Sequence, residues 1–553
     1  MFQSEPAALI HHDRWGYHCA MFLTRRRFEF LLIGVLMGVP LVFFTQPQQD
    51  WFTDGSNLPL VFISTEDSIV DDPRVGARMS IVNNDSGLNH QTDHPTDYDG
   101  LVTIEIRGAS SQAFPKKGYA FETVDEYGQN NNVALLGMPP ENDWILHGPY
   151  TDKSLIRNAL VYELGDRIHR YVSRRRFCEL FVNDDYQGVY LLAEKIKRDV
   201  NRVDLAKLLP SDTVGDELTG GYILKIDKFN GGASGSWSSP YPTEGGQTSF
   251  IQFHHPKQSD LHPAQSDYIK QHVTAFEHAL ASDEFEDPAM GYAAFIDVQS
   301  FLDLHLINEL SKNVDGFHFS TFFFKEKDSD GGKLVMGPWW DYNIALGNAN
   351  YCEGEQTEGF QLSDNGCFEF VPFWFRRLLQ HEVYQSRLER TWAEYRSGPW
   401  SDASVCGVID SLSEMLSSAS ERDHARWRRL GDYVWPNAFV GDSYQEELAY
   451  LKDWTMARMH WMDFELGLRD RPQDAPNMVQ LRPNPTSHFF TLAEEHQGST
   501  LSLHNFYGWE IEKFEVLYDF QSFSVEHLAS GVYIVQIWDD QHQLVGRSKL
   551  IKP

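Results

Sequence analysis

The chain has 553 residues and an acidic composition, in which 47 Lys and Arg stand against 79 Asp and Glu for a net charge of −32. Apolar residues make up 42% and aromatic residues 14%, which supports large buried cores rather than disorder. A strongly acidic protein repels phosphate backbones and anionic lipid, so nucleic acid is not expected as a partner. We expect a globular protein with two or three domains.

The N-terminal residues carry the features of an export signal. The charged stretch Arg25 to Arg27 precedes an apolar run from Phe28 to Phe44, the pattern of a secretory signal. Pro40 and the short run argue against a spanning helix. The alternative is an uncleaved anchor, in which case the membrane is also a partner. We assign residues 1–46 to an upstream extension with this signal, and Met21 is an alternative start.

β-Prone runs separated by turn residues follow the signal. LPLVFIS, ARMSIVNN and LVTIEIRG predict short strands. We assign residues 47–96 to a β-rich N-terminal segment and begin the main domain at residue 97.

A helix and a hairpin come next. Helical periodicity over DKSLIRNALVYELGDRIHRY is followed by CELFVNDDYQGVYLLAEKI, which predicts a hairpin turning at 183–187. The Gly- and Ser-rich stretch 231–246 predicts a flexible surface loop that could act as a lid.

A helix, a polar loop and a second hairpin bring two carboxylates into register. The helix predicted at 297–313 leads to Asp315, and the strands FSTFFFKEK and KLVMGPW are followed directly by Asp341. Neighbouring loop ends of one hairpin place these carboxylates close together. One could accept a proton and the other hold a metal, the division of labour that phosphoryl transfer requires.

The remaining chain divides into a helical and a β-rich part. Residues 373–466 read as mostly helical, and the linker RDRPQDAPNMVQ leads into a β-rich tail. We assign residues 97–470 to the main domain and residues 471–553 to the linker and the tail.

Five segments in this order resemble the signature segments of the CotH family of atypical, kinase-like phosphotransferases. They are IEIRGASSQAFPKKGYAFET, LLGMPPENDWILHGPYTDKSLIRNAL, GVYLLAEKIKRD, NELSKNVDGFHFS and MGPWWDYNIALGNANY. The resemblance implies an α+β fold with an atypical protein-kinase-like core, and ATP with Mg²⁺ or Mn²⁺ as cofactors.

The resemblance also implies roles for individual residues. Asp315 would be the catalytic carboxylate, while Lys116 or Lys117 would neutralise nucleotide phosphates and Glu194 would orient the lysine. Further contacts to the nucleotide are assigned to Arg107, Ser110, Ser111, Arg157 and Trp340, of which Trp340 could instead be a core residue.

The metal is assigned to the second carboxylate. Asp341 would coordinate it, with Asn343 or Asn348 as an oxygen ligand. Ser320 stands where kinases place a metal-binding Asn, and Ser is the weaker ligand. The chain also has no Gly-rich phosphate loop, so a kinase-like protein without catalysis is an alternative.

Two cysteines are predicted to form a disulfide. Cys352 and Cys367 are fifteen residues apart, flank a Gly- and Glu-rich stretch and lie in an exported chain.

The tail carries a second resemblance. LRPNPTSHFFTL, LSLHNFYGWEI, HLASGVYIVQIWDD and GRSKLIKP resemble the C-terminal β-sandwich sorting domain of type IX secretion in Bacteroidota. This resemblance implies the type IX secretion machinery as a partner and a secreted or outer-surface location.

The sequence therefore predicts an exported atypical kinase that phosphorylates a secreted or surface protein. Two alternatives stay open: a catalytically degenerate, kinase-like binding or scaffold protein, and a carboxylate-based glycosidase.

Overall fold

The structure is a computed structural model that combines helices with β-sheets, which confirms the predicted α+β class. The predicted signal in residues 1–46 lies outside the described part of the chain. No helix in the described part is long and apolar enough to span a membrane. The described residues are 51–52, 54–228, 235–362, 367, 370–469, 477–492, 496–505, 510–518, 520–529, 531–540 and 544–552.

Among these residues, seven strands close into a β-barrel. They are Leu60–Ser64 (β1), Val75–Val82 (β2), Tyr98–Arg107 (β3), Gly118–Val124 (β4), Asp143–His147 (β5), Arg175–Val182 (β6) and Asp185–Glu194 (β7). The strand order is β1, β2, β3, β4, β5, β7, β6, and the barrel closes where β6 pairs in parallel with β1. Alternating apolar side chains such as Met79, Val102 and Leu180 fill the interior.

The barrel differs from the predicted organisation at its beginning. The sequence predicted a separate β-rich segment ending at residue 96, but β1 and β2 belong to the same barrel as the later strands. Val75 of β2 pairs with Ile104 of β3, and Leu60 of β1 pairs with Glu179 of β6. The polar stretch after β2 is a loop of this barrel. Only the long-range pairing could reveal this.

The predicted helix and hairpin lie within the barrel segment. Helix Arg157–Arg167 (α1) connects β5 to β6, and its buried residues include Ala159 and Leu160. The β6–β7 hairpin turns at Asn183 and Asp184, which have φ values of 50° and 62°. Asn and Asp tolerate this left-handed conformation better than most residues.

A second sheet follows the barrel. Its strands are Tyr222–Ile226 (β8), Ser236–Pro242 (β9), Thr248–His255 (β10), Thr321–Lys325 (β11) and Leu334–Met336 (β12), paired in the order β12, β11, β8, β10, β9. The prediction of a flexible loop over 231–246 is wrong for β9, where Trp237 pairs with Ile251 of β10. Residues 231–234 of that stretch lie outside the described residues.

Helices cover this sheet and build the largest core. They are Pro263–Ala281 (α2), Val298–Ser311 (α3), Trp374–Leu378 (α4), Glu382–Ser397 (α5), Asp402–Met415 (α6), Ser417–Trp427 (α7) and Tyr444–Glu465 (α8). Asp297 caps α3 by accepting the backbone N–H of Ser300 at 2.7 Å. Helix α3 is buried nearly all round, including Phe301, Leu306 and Leu310. It therefore forms the centre of the core.

The tail forms two β-sheets with their own apolar core. Its described strands are Asn477–Met478 (β13), Leu481–Arg482 (β14), Phe489–Leu492 (β15), Thr500–Asn505 (β16), Glu510–Glu515 (β17), Ser522–Ser524 (β18), Gly531–Trp538 (β19) and Leu544–Lys552 (β20). One sheet has the order β13, β20, β19, β16, β17 and the other the order β14, β15, β18. Phe490, Leu503 and Val535 belong to the core of this tail.

Candidate functional site

A cleft of about 440 Å³ lies between the barrel and the second sheet. Strands β3, β4, β5 and β7 line one wall, and the loops after β8, α3 and β12 line the other. Strand ends and loops converge on this cleft, so polar side chains can meet there without disrupting the sheets. The cleft contains most of the residues that the sequence singled out.

Both predicted carboxylates, Asp315 and Asp341, line this cleft, and Asp227 joins them. Burial raises the pKa of Asp315 to about 6, and the charges of Asp341 and Asp227 add to this. Burial likewise raises the pKa of Asp341, with Asp227 adding to the rise and Arg107 opposing it. A cation would favour the ionised forms of Asp315 and Asp341, whose pKa values are raised here.

Asp227 was missed by the sequence reasoning. It directly follows β8, and its carboxylate Oδ2 lies 2.7 Å from the Lys225 ammonium. A carboxylate at the end of a buried strand before a polar loop was the available signal.

The loop before β11 brings Ser320 to the carboxylates of the cleft. Its side chain opposes the rise that burial causes in the pKa of Asp341, and its backbone N–H donates to Asp227 Oδ1 at 3.4 Å. Ser320 and Asp341 have φ values of 47° and 71°. Such conformations cost energy in residues other than glycine and are found most often at functional sites.

The two predicted asparagine ligands have different positions. Asn343 lines the cleft, and its amide donates to Thr151 Oγ1 at 3.3 Å. Asn348 is buried; its amide donates to Thr151 O and Asn343 O, and its Oδ1 accepts from Asn437. Asn343 is thus the one of the two that faces the cleft.

The oxygen ligands near Asp341 suit Mg²⁺ better than a metal that needs all of its ligands from the protein. Within the described residues, no three His, Cys, Asp or Glu side chains are grouped closely enough to hold a metal. Mg²⁺ binds typically through one or two carboxylates, with substrate phosphates and water completing its shell. Asp341 with the Ser320 hydroxyl fits such a partial set.

Cationic side chains occupy the same cleft as the carboxylates. Arg107, Lys116, Lys225 and Lys228 all line it. The Arg107 guanidinium lies over the Trp340 ring at 5.3 Å from its centroid, and burial lowers its pKa. Cations placed beside carboxylates are what binding of a metal-bound polyphosphate requires.

Of the two predicted lysines, the structure places only Lys116 in the cleft. Its ammonium is fully buried and donates to Asp423 on α7. Lys117 instead donates to Gln112 O at 2.6 Å. Consecutive residues that enter a strand point in opposite directions, which separates the two.

The residue that pairs with Lys116 is not the predicted Glu194. Glu194 is fully buried, but it accepts from Tyr171 Oη at 3.1 Å, Arg174 N at 3.0 Å and Arg174 Nη1 at 3.1 Å. The carboxylate that holds Lys116 is Asp423. The predicted pairing of Glu194 with a lysine is therefore wrong, because Glu194 lies on the face of β7 that binds Arg174.

Arg157 also lies away from the cleft lining. Its guanidinium donates to Asp152 Oδ1 at 2.6 Å and reaches Leu346 O at 3.4 Å, so it ties α1 to the segment after β12. The adjacent Asn158 does line the cleft and accepts the Tyr342 backbone N–H at 2.6 Å. Sequence reasoning selected the arginine by charge and missed its neighbour.

Ser110, Ser111 and Trp340 line the cleft as well. The two serines are exposed in the loop between β3 and β4, and a short helical turn over 110–113 shapes this loop. Trp340 is half-buried, with Tyr162 stacked on its ring at 6.3 Å and Arg107 over it. Its ring is thus already in contact with two side chains.

Part of the cleft lining is apolar. It includes Ala120, Ile145, Leu191, Ala193 and Phe322. Ile145 pairs with Ala120 of β4 and Ala193 of β7, whose small side chains leave room for a flat group against the barrel wall. The cleft therefore combines an apolar slot with charged groups.

A disulfide joins Cys352 to Cys367 beside the cleft. Tyr351, next to the first cysteine, lines the cleft and stacks on Trp435 with ring centroids 5.9 Å apart and planes inclined by 6°. Asn350 supports this pair, because its backbone N–H donates to Pro436 O at 2.9 Å. An aromatic wall thus stands at the carboxylate end.

The fold and the cleft define an α+β protein with a deep cleft lined by acidic and cationic side chains, and comparison with known families gives its relationship. Residues 104–462 match the family of CotH kinase proteins, so the chain belongs to that family. Residues 480–552 match the secretion system C-terminal sorting domain. The chain is therefore exported, to the outer surface or the medium. A search of curated proteins finds no match.

Proposed function

We propose that the chain is an atypical kinase that transfers the terminal phosphate of ATP, with Mg²⁺ or Mn²⁺, to a hydroxyl of a secreted or surface protein. The observation that carries the proposal is the combination of Asp315, Asp341 and five cationic side chains in one cleft with an apolar slot. A nucleotide has the same division into a flat apolar base and a charged tail. Membership of the CotH kinase family supports this reading.

The chain's own residues divide the work of the reaction. Arg107 and Lys116 bind phosphate oxygens, and Asp315 accepts the proton of the acceptor hydroxyl as its oxygen bonds to phosphorus. The bond from that phosphorus to the ADP oxygen breaks in the same displacement. The raised pKa of Asp315, about 6, is still low enough for a carboxylate to be available at neutral pH.

Asp341 and Ser320 would hold the metal, with Asn343 beside them. A divalent ion there supplies positive charge against the phosphate oxygens. The positive φ of Asp341 and the hydroxyl of Ser320 orient this carboxylate before any ligand arrives.

The cations favour an anionic substrate over a neutral glycan, and this argues against a glycosidase. A kinase-like protein that binds nucleotide without transfer is the second candidate, because Ser320 is a weaker ligand than the kinase Asn. The two candidates differ only in turnover.

The decisive experiment is to incubate the full-length exported protein with ATP labelled on the terminal phosphate, Mg²⁺ or Mn²⁺ and secreted proteins of the native host. We expect labelled protein that is lost with Asp315→Asn, a variant that retains nucleotide binding. Nucleotide binding without labelled protein favours the degenerate protein. Absence of nucleotide binding contradicts both candidates.

A further inference from the structure

A buried cluster of three charged side chains includes one cleft-lining residue, Lys116. Lys116 precedes β4, Asp423 lies on α7, and Arg429 follows α7. Their side chains are 0%, 0% and 1% exposed. Lys116 and Asp423 are 307 residues apart in the chain. The C-terminal helices thus supply the partner of a lysine that belongs to the barrel.

The Asp423 carboxylate is held from three directions. It accepts from the Lys116 ammonium, from Arg429 Nη2 and, at 2.9 Å, from the backbone N–H of Val189 on β7. Gly188 allows this approach, because a Cβ there would lie 2.2 Å from Asp423 Oδ1. The carboxylate cannot move without disturbing the barrel strand.

The cluster has two cations for one anion. Lys116 and Arg429 carry two positive charges and Asp423 one negative charge, so one positive charge remains beside the cleft. An uncompensated buried charge is costly unless a ligand neutralises it. The ammonium has three N–H donors, and the structure describes one hydrogen bond from it, to Asp423. Donors are therefore available for anionic oxygens of a ligand.

Arg429 connects the same carboxylate to the loop after β5. Its Nη1 donates to Pro149 O and Tyr150 O, both at 2.5 Å. Tyr150 and Thr151 line the cleft, and Thr151 Oγ1 accepts from Asn343. One carboxylate thus orients the lysine and, through Arg429, the loop that contacts Asn343.

We propose that Asp423 is a positioning residue that holds Lys116 against the phosphates of the bound nucleotide. This inference rests on the proposed function, since it assumes that the charged end of the cleft receives a polyphosphate. Asp423 touches neither the nucleotide nor the reacting atoms and acts through Lys116. Asp423 thus orients the lysine, the role that the family resemblance implied for Glu194.

The titration of Lys116 supplies a readout that a purely structural role would not change. Burial lowers the pKa of Lys116 to about 8, Asp423 opposes this, and Arg429 adds to it. The other ionisable groups facing Lys116 are Cys178, Tyr190, His147 and His424. Loss of the Asp423 charge should therefore lower the pKa of Lys116 further.

The test measures calorimetric affinities of the full-length protein for Mg-ATP and for inorganic tripolyphosphate between pH 6 and 10. In the wild type, both affinities should fall as pH rises through about 8. Asp423→Asn should move this midpoint to lower pH and weaken binding at pH 7.5 by about tenfold, the equivalent of one charge-assisted hydrogen bond. Lys116→Met should abolish the pH dependence.

Asp463→Asn is the matched control. Asp463 is as buried as Asp423 and accepts from Arg396 at 2.8 Å and 3.0 Å, but Arg396, unlike Lys116, does not line the cleft. This variant should keep the wild-type midpoint. Adding Asp423→Asn to Lys116→Met should cause no further loss of affinity, because the lysine through which Asp423 acts is already absent.

The outcomes separate the two proposals. An unchanged midpoint in Asp423→Asn, or additive losses in the double variant, would overturn the positioning role. Tripolyphosphate binding with the expected midpoints but no ATP binding would retain that role and contradict the nucleotide kinase. If the wild type bound neither ligand, both proposals would be wrong.

Discussion

Asp341 has a backbone conformation that the rest of the site must impose. A left-handed φ of 71° costs a non-glycine residue about 1 kcal/mol or more. Asn158 restrains Tyr342, the residue after Asp341, because its Oδ1 accepts the Tyr342 N–H at 2.6 Å. A strained backbone that orients one carboxylate is expected where that carboxylate binds a ligand.

The first prediction separates function from stability at this residue. Asp341→Ala and Asp341→Gly should both abolish metal-dependent nucleotide binding in calorimetry. Asp341→Gly should also raise the free energy of unfolding, by about 1 kcal/mol, because glycine relieves the strain. Asp330→Ala, in the exposed β11–β12 turn, should change neither quantity. Unchanged Mg-ATP affinity in Asp341→Ala would refute the metal assignment.

Single elements depend on a few buried polar contacts. Glu277 of α2 is 1% exposed, and its Oε1 accepts from Ser239 Oγ of β9 at 2.7 Å and from Trp374 Nε1 of α4 at 3.0 Å. Its Oε2 has no hydrogen-bond partner in the described part of the chain. Burial raises the pKa of Glu277 to about 7. This carboxyl is thus a neutral link between three elements at low pH.

The second prediction concerns the pH dependence of this link. The native state holds the Glu277 proton more tightly than the unfolded chain, whose pKa is near 4.5. The free energy of unfolding should therefore fall as pH rises from 4.5 to 7, by roughly 3 kcal/mol. Glu277→Gln should remove this part of the pH dependence in urea unfolding, and exposed Glu284→Gln should not. Parallel pH profiles for Glu277→Gln and the wild type would contradict the assignment.

The third prediction concerns the loop that the disulfide closes. Replacing Cys352 and Cys367 with Ser should lower the free energy of unfolding by about 3 kcal/mol, because the cross-link restricts the unfolded chain. Cys406→Ser, which removes a free thiol, should have little effect. Unfolding under non-reducing conditions measures both. Intact-mass analysis that found both cysteines as free thiols in protein from the native host would disprove the pairing.

At the scale of the whole molecule, a partly exposed ion pair joins the tail to the main domain. Lys549 Nζ of β20 lies 3.5 Å from Glu355 Oε1, with both side chains 31% exposed. An ion pair exposed to this degree contributes about 0–1 kcal/mol. The tail also has its own buried core around Phe490 and Val535. The main domain should therefore fold without the tail.

The fourth prediction tests the two export signals separately. Deletion of Val479 to Pro553 should leave a folded main domain in the periplasm, because the sorting domain is read as a folded shape. Deletion of Phe28 to Phe44 should leave the protein in the cytoplasm with reduced cysteines. Cell fractionation distinguishes the compartments. Normal amounts of the tail-less protein in the medium or at the outer surface would show that the tail has no sorting role.

The sequence by itself determined the local features. Periodicity and turn residues predicted α1, the β6–β7 hairpin, α3 and the β11–β12 hairpin, since each depends on neighbours along the chain. The positions of Asp315 and Asp341 in one cleft follow from the same order of elements. Family motifs added the relationship to CotH proteins and the sorting tail.

The tertiary structure decided which distant groups meet. β1 and β2 belong to the barrel because β6 pairs with β1. β9 is a strand because it pairs with the edge of β10. Lys116 was paired with Asp423, 307 residues away, instead of Glu194. A side chain's partner depends on which face of a strand it occupies and on what packs there. Neither is encoded in the spacing of the two residues, so only the folded chain could assign Asp423 to the site.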